Sequence, residues 1–219
     1  MGFAGTIACD KVGETNGKTN ETSVLQIAED GTTTLIEESL KAALIETAPI
    51  DDSETDILLA MKEEEKLARD VYTALYKKWK VPIFNNISSA ENNHMNAVNY
   101  LLKKYGASDT LISAEGIFQE AETQALYAEL VEKGSVSITE AFLVGALIED
   151  MDIYDLQESI SKVSNENIIM VFKNLMRGSG NHMRAFNRQL KARGVVYTPV
   201  YISADEFNTI INSGWQTGI

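Results

Sequence analysis

A chain of 219 residues, 44% of them hydrophobic, is long enough to bury a core, and no apolar run approaches the length of a membrane span. Its formal net charge of -13 has no basic patch to offset it, which argues against nucleic-acid binding and against docking on an anionic membrane, while suiting a protein that gathers cations. Cys9 is the only cysteine, so an internal disulfide and a thiolate-held zinc or iron-sulfur centre are excluded, and any metal must be held by oxygen and nitrogen.

Residues 1–23 read as a flexible N-terminal segment. Thr6-Ile7-Ala8-Cys9 puts a small residue before cysteine, as a lipoprotein signal does, although Thr6 stands where leucine is usual. Gly2 to Asp10 lacks the basic start of a signal peptide and fits the trimmed end of one, so an extracytoplasmic location, secreted or lipid-anchored, is slightly favoured over a cytoplasmic one. Lys11 to Thr22, rich in Gly, Asn and Thr, reads as a linker. Residues 24–50 form an extension in which Val24 to Thr34 is ambiguous and Leu35 to Ile45 has the spacing of a short helix ended before Pro49.

Residues 51–219 read as one helical domain. A first long helix is expected from Glu54 to Lys80, opened by Ser53 and Asp56 at capping-box spacing, with Met61, Glu65, Ala68 and Tyr72 in phase. A second starts at Pro82 and ends at Gly106, with Phe84, Ile87, Glu91, His94, Val98 and Leu101 on one stripe. A long connection with helical character in Gln119 to Lys133 follows. A third helix, Thr139 to Ile160, aligns Phe142, Gly145, Glu149, Asp152 and Leu156. A fourth, Asn167 to Arg193, aligns Phe172, Leu175, Ser179, His182 and Phe186. Val195 to Ile202 looks extended, and Ser203 with Glu206 forms a capping box for a short last helix.

The phases converge on one constellation: Glu65, Glu91, His94, Glu149, Asp152 and His182, four carboxylates and two imidazoles facing inward from four helices. Residues three apart share a helix face, so the pairs Glu91/His94 and Glu149/Asp152 can each address one ion. Two divalent cations would neutralise the four carboxylates, as a dry core requires, and this donor set suits iron or manganese, with zinc also able to bind. Plainer readings stand beside it. Glu91 follows Ser88 at capping-box spacing, Glu64 competes with Glu65 for the inward position, and Glu149-Asp150-Met151-Asp152 reads equally as surface acid. Each histidine taken alone reads more readily as a core residue satisfied by backbone or Tyr than as a ligand.

Glu65-Lys66-Leu67-Ala68-Arg69-Asp70-Val71-Tyr72 resembles the Glu-x-x-Ala-Arg-x-x-Tyr of the first helix of rubrerythrins, and Glu91-x-x-His94 resembles their second-helix motif. More closely, Lys62 to Trp79, Glu149 to Leu156 and Arg177-Gly178-Ser179-Gly180-Asn181-His182-Met183-Arg184-Ala185-Phe186 resemble the ferritin-like domain of unknown function 2202. The resemblance implies an all-α, up-down, ferritin-like four-helix bundle with a long connection between helices 2 and 3 and short peripheral helices, holding a di-metal site, with iron first among the metals. It selects Glu65 over Glu64 and allows a homodimer. Tyr72 is then placed to bond a ligand carboxylate, with Arg69, Asn181 and Arg184 as further neighbours. Ser179 stands where the rubrerythrin fourth helix has a glutamate, so one bridging carboxylate is missing. The expected function is a di-metal oxidoreductase or ferroxidase-like protein acting on dioxygen or peroxide. The alternatives are a non-catalytic metal-binding or surface interaction protein with a degenerate site, and a metal-free bundle.

Overall fold

In a computed structural model, which describes residues 23–28 and 32–216, the chain forms β1 (Leu25–Ile27), β2 (Thr33–Leu35), α1 (Glu37–Ala43), α2 (Asp52–Trp79), α3 (Pro82–Lys104), α4 (Ala121–Gly134), α5 (Ile138–Lys162), α6 (Glu166–Lys191) and α7 (Ala204–Asn212). The structure is mostly helical, and none of the described helices is long and apolar enough to cross a membrane. The expected export signal and linker, including Cys9, lie outside the described residues.

Local chemistry sets the helix ends. Asp51, rather than Ser53, caps α2 by accepting from the Glu54 backbone N–H at 2.8 Å, which corrects the expected capping box by two residues. Lys80 ends α2 in a left-handed conformation, φ 57°, and Pro82 opens α3 at a position where its missing N–H costs nothing. Gly106, φ +70°, turns the chain after α3 as expected. Ser137 caps α5, Asn165 caps α6, and Ser203 caps α7 through the Glu206 N–H. The Glu54 carboxylate also accepts from Ser164 N and Asn165 N, at 2.9 and 3.0 Å, so the start of α2 clips the start of α6.

The four long helices pack side by side, α2 against α3 and α5, and α6 against α5 and α3. Their apolar contacts fall into two clusters. One contains Val71, Phe84, Phe142 and Phe186; the other contains Leu58, Val98, Leu156 and Phe172. Along each long helix the chain passes from one cluster to the other, and the charged inward residues occupy the layer between them.

The segment left ambiguous in the sequence adds a small hairpin to the otherwise helical chain. β1 and β2 pair antiparallel with Leu25 opposite Leu35 and Ile27 opposite Thr33. Val24, Leu25 and Ile27 are buried in the second apolar cluster. Side chains of the long helices hold the hairpin: Asn174 accepts from Val24 N at 3.1 Å, Arg177 donates to the Leu25 carbonyl at 3.2 Å, and Asn93 donates to the Thr33 carbonyl at 2.7 Å. The expected extended segment Val195 to Ile202 runs without helix or strand.

Candidate metal centre

α2 brings in Glu65, α3 Glu91 and His94, α5 Glu149 and Asp152, and α6 His182; all six are at most 8% exposed. The structure gathers five of them into two trios, Glu65/Glu91/His94 and Glu91/Glu149/His182, in each of which one ligand atom per residue lies within 4.8 Å of the others. Glu91 belongs to both. Its Oε2 is 2.8 Å from His94 Nδ1 and its Oε1 is 3.0 Å from His182 Nδ1. Glu65 Oε2 lies 3.1 Å from His94 Nδ1, and Glu149 Oε2 lies 3.5 Å from His182 Nδ1. The two imidazole rings stack at 5.5 Å between centroids. Either trio could hold a metal ion.

Several of these atoms have no hydrogen-bond partner among the described residues although they are buried: Glu65 Oε1, Glu91 Oε1, His94 Nε2 and both ring nitrogens of His182. Glu91 Oε1 and His182 Nδ1 are close enough to bond but are not aligned to do so, as two groups would be that face a common point between them. An unpaired buried polar atom costs free energy, and five in one layer form a donor set that fits a cation.

The electrostatics of the layer show how it is held without a cation. Burial pushes the Glu65 carboxyl up to about 7 against the pull of His94. Burial also opposes ionisation of Glu91, but His182 and then His94 outweigh it and hold that carboxyl below the usual range. Burial lowers His182, yet Glu91 and Glu149 carry it up to about 9, and His94 is raised in the same way by Glu65 and Glu91. Glu149 and Asp152 are both raised, chiefly by burial.

The surrounding residues divide into those that serve the layer and those that do not. The Tyr72 hydroxyl donates to Glu149 Oε1 at 2.6 Å, as expected. Asp152 joins neither trio; the Ser179 hydroxyl donates to its Oδ2, so Ser179 engages a carboxylate where the family comparison had suggested a missing one. Glu64 is not in a trio either, and burial, with Asp155 and Glu65 nearby, raises it to about 8. The capping alternative for Glu91 fails because α3 begins at Pro82 and Ser88 instead bonds Thr73 and the Arg69 carbonyl.

Three expected neighbours are placed elsewhere. Arg69 pairs with Asp70 at 2.7 Å, while Arg184 and Asn181 bond each other, Ser213, Ile210 and Gln216, fastening α7 and the chain after it to α6. Sequence reasoning had the Gly178 motif but missed its purpose. A Cβ at Gly178 would lie 2.6 Å from His94 Nε2, so the glycine makes room for the ring. It also missed Asp150, which faces away from the layer and accepts from Tyr197 OH at 2.7 Å, Ile202 N at 2.9 Å and the N–H groups of Val200 and Tyr201.

Comparison with known proteins gives three findings. The pattern of the family described as "Uncharacterized protein domain (DUF2202)" matches residues 54–214. The chain is 51% identical over 172 residues to "Uncharacterized protein MJ0754" of Methanocaldococcus jannaschii, covering 78% of this chain and 93% of that protein. A crystal structure titled as that of hypothetical protein MJ0754 from Methanococcus jannaschii superposes with a TM-score of 0.77 at 49% identity, over 80% of this chain and 100% of the other.

Proposed function

The chain belongs to the family of the uncharacterized domain DUF2202, and from the site that its helices build we propose a ferritin-like four-helix bundle that binds two divalent cations, iron foremost, in its buried carboxylate and imidazole layer. The observation that carries this reading is Glu91, whose two oxygens face different histidines and different trios, as a bridging carboxylate would. Glu65 and His94 would complete one half, and Glu149 and His182 the other. Asp152, turned to Ser179, would give up its proton to supply the fourth negative charge that balances two divalent ions.

A bound pair of redox-active cations would supply electrons and Lewis acidity to dioxygen or peroxide. The chain's own residues set the conditions for that chemistry. Tyr72 fixes the orientation of Glu149 through its hydroxyl proton, and the apolar clusters on either side keep bulk water out. An oxidoreductase or ferroxidase-like activity follows as the first reading. A non-catalytic metal carrier is the second, favoured by one observation: Ser179 offers a hydroxyl to Asp152 where a further carboxylate would complete a symmetric site.

Anaerobic titration of the chelated protein with ferrous iron, followed by admission of oxygen or peroxide, tests both. The expected result is about two irons per chain, reduced to one or none in Glu91→Gln. Binding that leaves Glu91→Gln unaffected, or stoichiometry well below one, would end the metal reading. Full loading without consumption of oxygen or peroxide would select the non-catalytic reading.

A further inference from the structure

The polar layer does not absorb every buried acid of the bundle. Glu64 stands on a face of α2 that it shares with Ala68 and Val71, four and seven residues on, which are 5% and 0% exposed. An acid thus occupies a position that the fold otherwise fills with apolar side chains. Its carboxyl group is enclosed by protein, and its Oε2 is buried without a hydrogen-bond partner among the described residues. Glu63 Oε1 is buried and unpartnered in the same way.

Other buried acids outside the layer are each answered by protein groups. Asp70 meets Lys66 and Arg69, both at 2.7 Å, Glu54 accepts from Ser164 N and Asn165 N, and Asp150 accepts from the segment at Tyr197 to Ile202. Around Glu64 the sign is reversed: the charges that act on it are all negative, Asp155 of α5 foremost, then Glu65 and Glu63. Asp155 is itself half-buried, and Lys162, the cation that acts on it, pairs with Glu158 at 3.2 Å. A buried carboxylate left with neither donor nor cation is costly, and a bound cation relieves it.

The acids also stand in steps. Asp155 follows Asp152 by three residues on α5, and Glu64 precedes Glu65 on α2, so a half-buried carboxylate leads by an enclosed one to the trio of Glu65, Glu91 and His94. The outer steps offer oxygen alone. One or two carboxylates, with water completing the shell, hold a hard divalent cation loosely, whereas a layer with imidazoles holds a transition metal more tightly.

We infer that Glu64 and Asp155 form a third divalent-cation station, between α2 and α5, which takes a hydrated cation from solvent and passes it to Glu65. The inference rests on the two-cation reading of the layer, and its test separates the two.

The full chain, stripped with chelator, is titrated with cobaltous chloride, with equilibrium dialysis for the stoichiometry and the visible absorption of imidazole-bound cobalt for the rate at which the layer fills. The expected result is about two ions held tightly and one more weakly. Glu64→Gln and Asp155→Asn should each lose the weak ion, keep the tight ones, and fill the layer about tenfold more slowly. Glu122→Gln, which removes the same charge from an exposed position on α4, should change neither quantity. Glu91→Gln should lose tight ions and keep the weak one. Both test variants are neutral and of nearly the same shape as the residue replaced, and circular dichroism confirms their fold; if one fails to fold, the other carries the test. A weak ion retained in Glu64→Gln, or a layer that fills at the unaltered rate in Glu64→Gln and Asp155→Asn, would overturn the station and leave the layer standing. A chain that holds no ion tightly, yet binds one weakly and loses it in Glu64→Gln, would overturn the layer and uphold the binding site.

Discussion

Gly178→Ala and Gly180→Ala place the same methyl group on the same helix two residues apart, and the structure assigns them opposite signs. In a helix interior, glycine to alanine gains roughly 0.5–1 kcal/mol. At Gly180 the new carbon meets its nearest neighbour at 3.8 Å, so that gain is expected in full. At Gly178 it would stand 2.6 Å from His94 Nε2 and 2.7 Å from Cε1. The ring is fully buried and fixed on its other side by Glu65 and Glu91, at 3.1 and 2.8 Å, so it has no route of retreat. Overpacking of this kind costs about 1–3 kcal/mol, which exceeds the helix gain. The two variants should therefore differ by about 2 kcal/mol, or about 1 M in urea midpoint at a slope of roughly 2 kcal/mol/M. Urea unfolding of the chelated proteins measures this directly, and iron content measures the second consequence, a loss of about one equivalent in Gly178→Ala alone. Midpoints that move in the same direction in both variants would refute the placement of His94 against α6.

Three further outcomes follow. Tyr72→Phe removes the 2.6 Å bond to Glu149 and leaves a buried carboxyl short of a donor, a cost of about 1–3 kcal/mol in the chelated protein and about 10–100-fold in iron affinity; unchanged values in both assays would contradict the bond. Without metal, Glu65 keeps a proton from the usual carboxylate value of 4.5 up to about 7, and His182 keeps one from 6.5 up to about 9. The folded state thus holds protons that the unfolded chain has lost, so the chelated protein should lose stability as pH rises across that span, and iron binding should release protons and tighten with pH. Thermal melts at pH 6 and 8.5 with a pH-stat titration check this, and a chelated protein more stable at 8.5 would refute it. Asp150→Asn presents an amide to donors that now meet a carboxylate, which should cost about 3–5 kcal/mol and open residues 197–202 to proteolysis; a resistant, equally stable variant would show that the segment is held by packing instead.

The long helices were legible because each repeats apolar residues over many turns, and because proline and glycine mark the breaks at Pro82 and Gly106. The inward phase of Glu65, Glu91, His94, Glu149, Asp152 and His182 was legible for the same reason, and all six are buried. The hairpin was not. Strands of three residues show too little alternation to separate from noise, and the burial of Leu25 and Ile27 depends on Asn174 and Arg177, roughly 150 residues later in the chain. The structural acids were also hidden. Asp150 sits one residue from Glu149, so it points about 100° away around the helix, and nothing in a run of acids tells which one faces the core and which faces a passing segment. Arg69 and Arg184 failed as neighbours of the layer because their partners, Asp70 and the chain around α7, lie on other faces.

That divergence at Glu149 and Asp150 ties two distant parts of the chain together. Consecutive carboxylates on α5 look about 100° apart, one into the polar layer and one onto the strap from Tyr197 to Ile202. If the strap lifts, Asp150 exchanges four protein donors for water on the turn of α5 that also carries Glu149. Amide hydrogens of Val200, Tyr201 and Ile202, although they lie in a segment without helix or strand, should exchange more slowly than those of exposed loops, and Asp150→Asn should remove that protection.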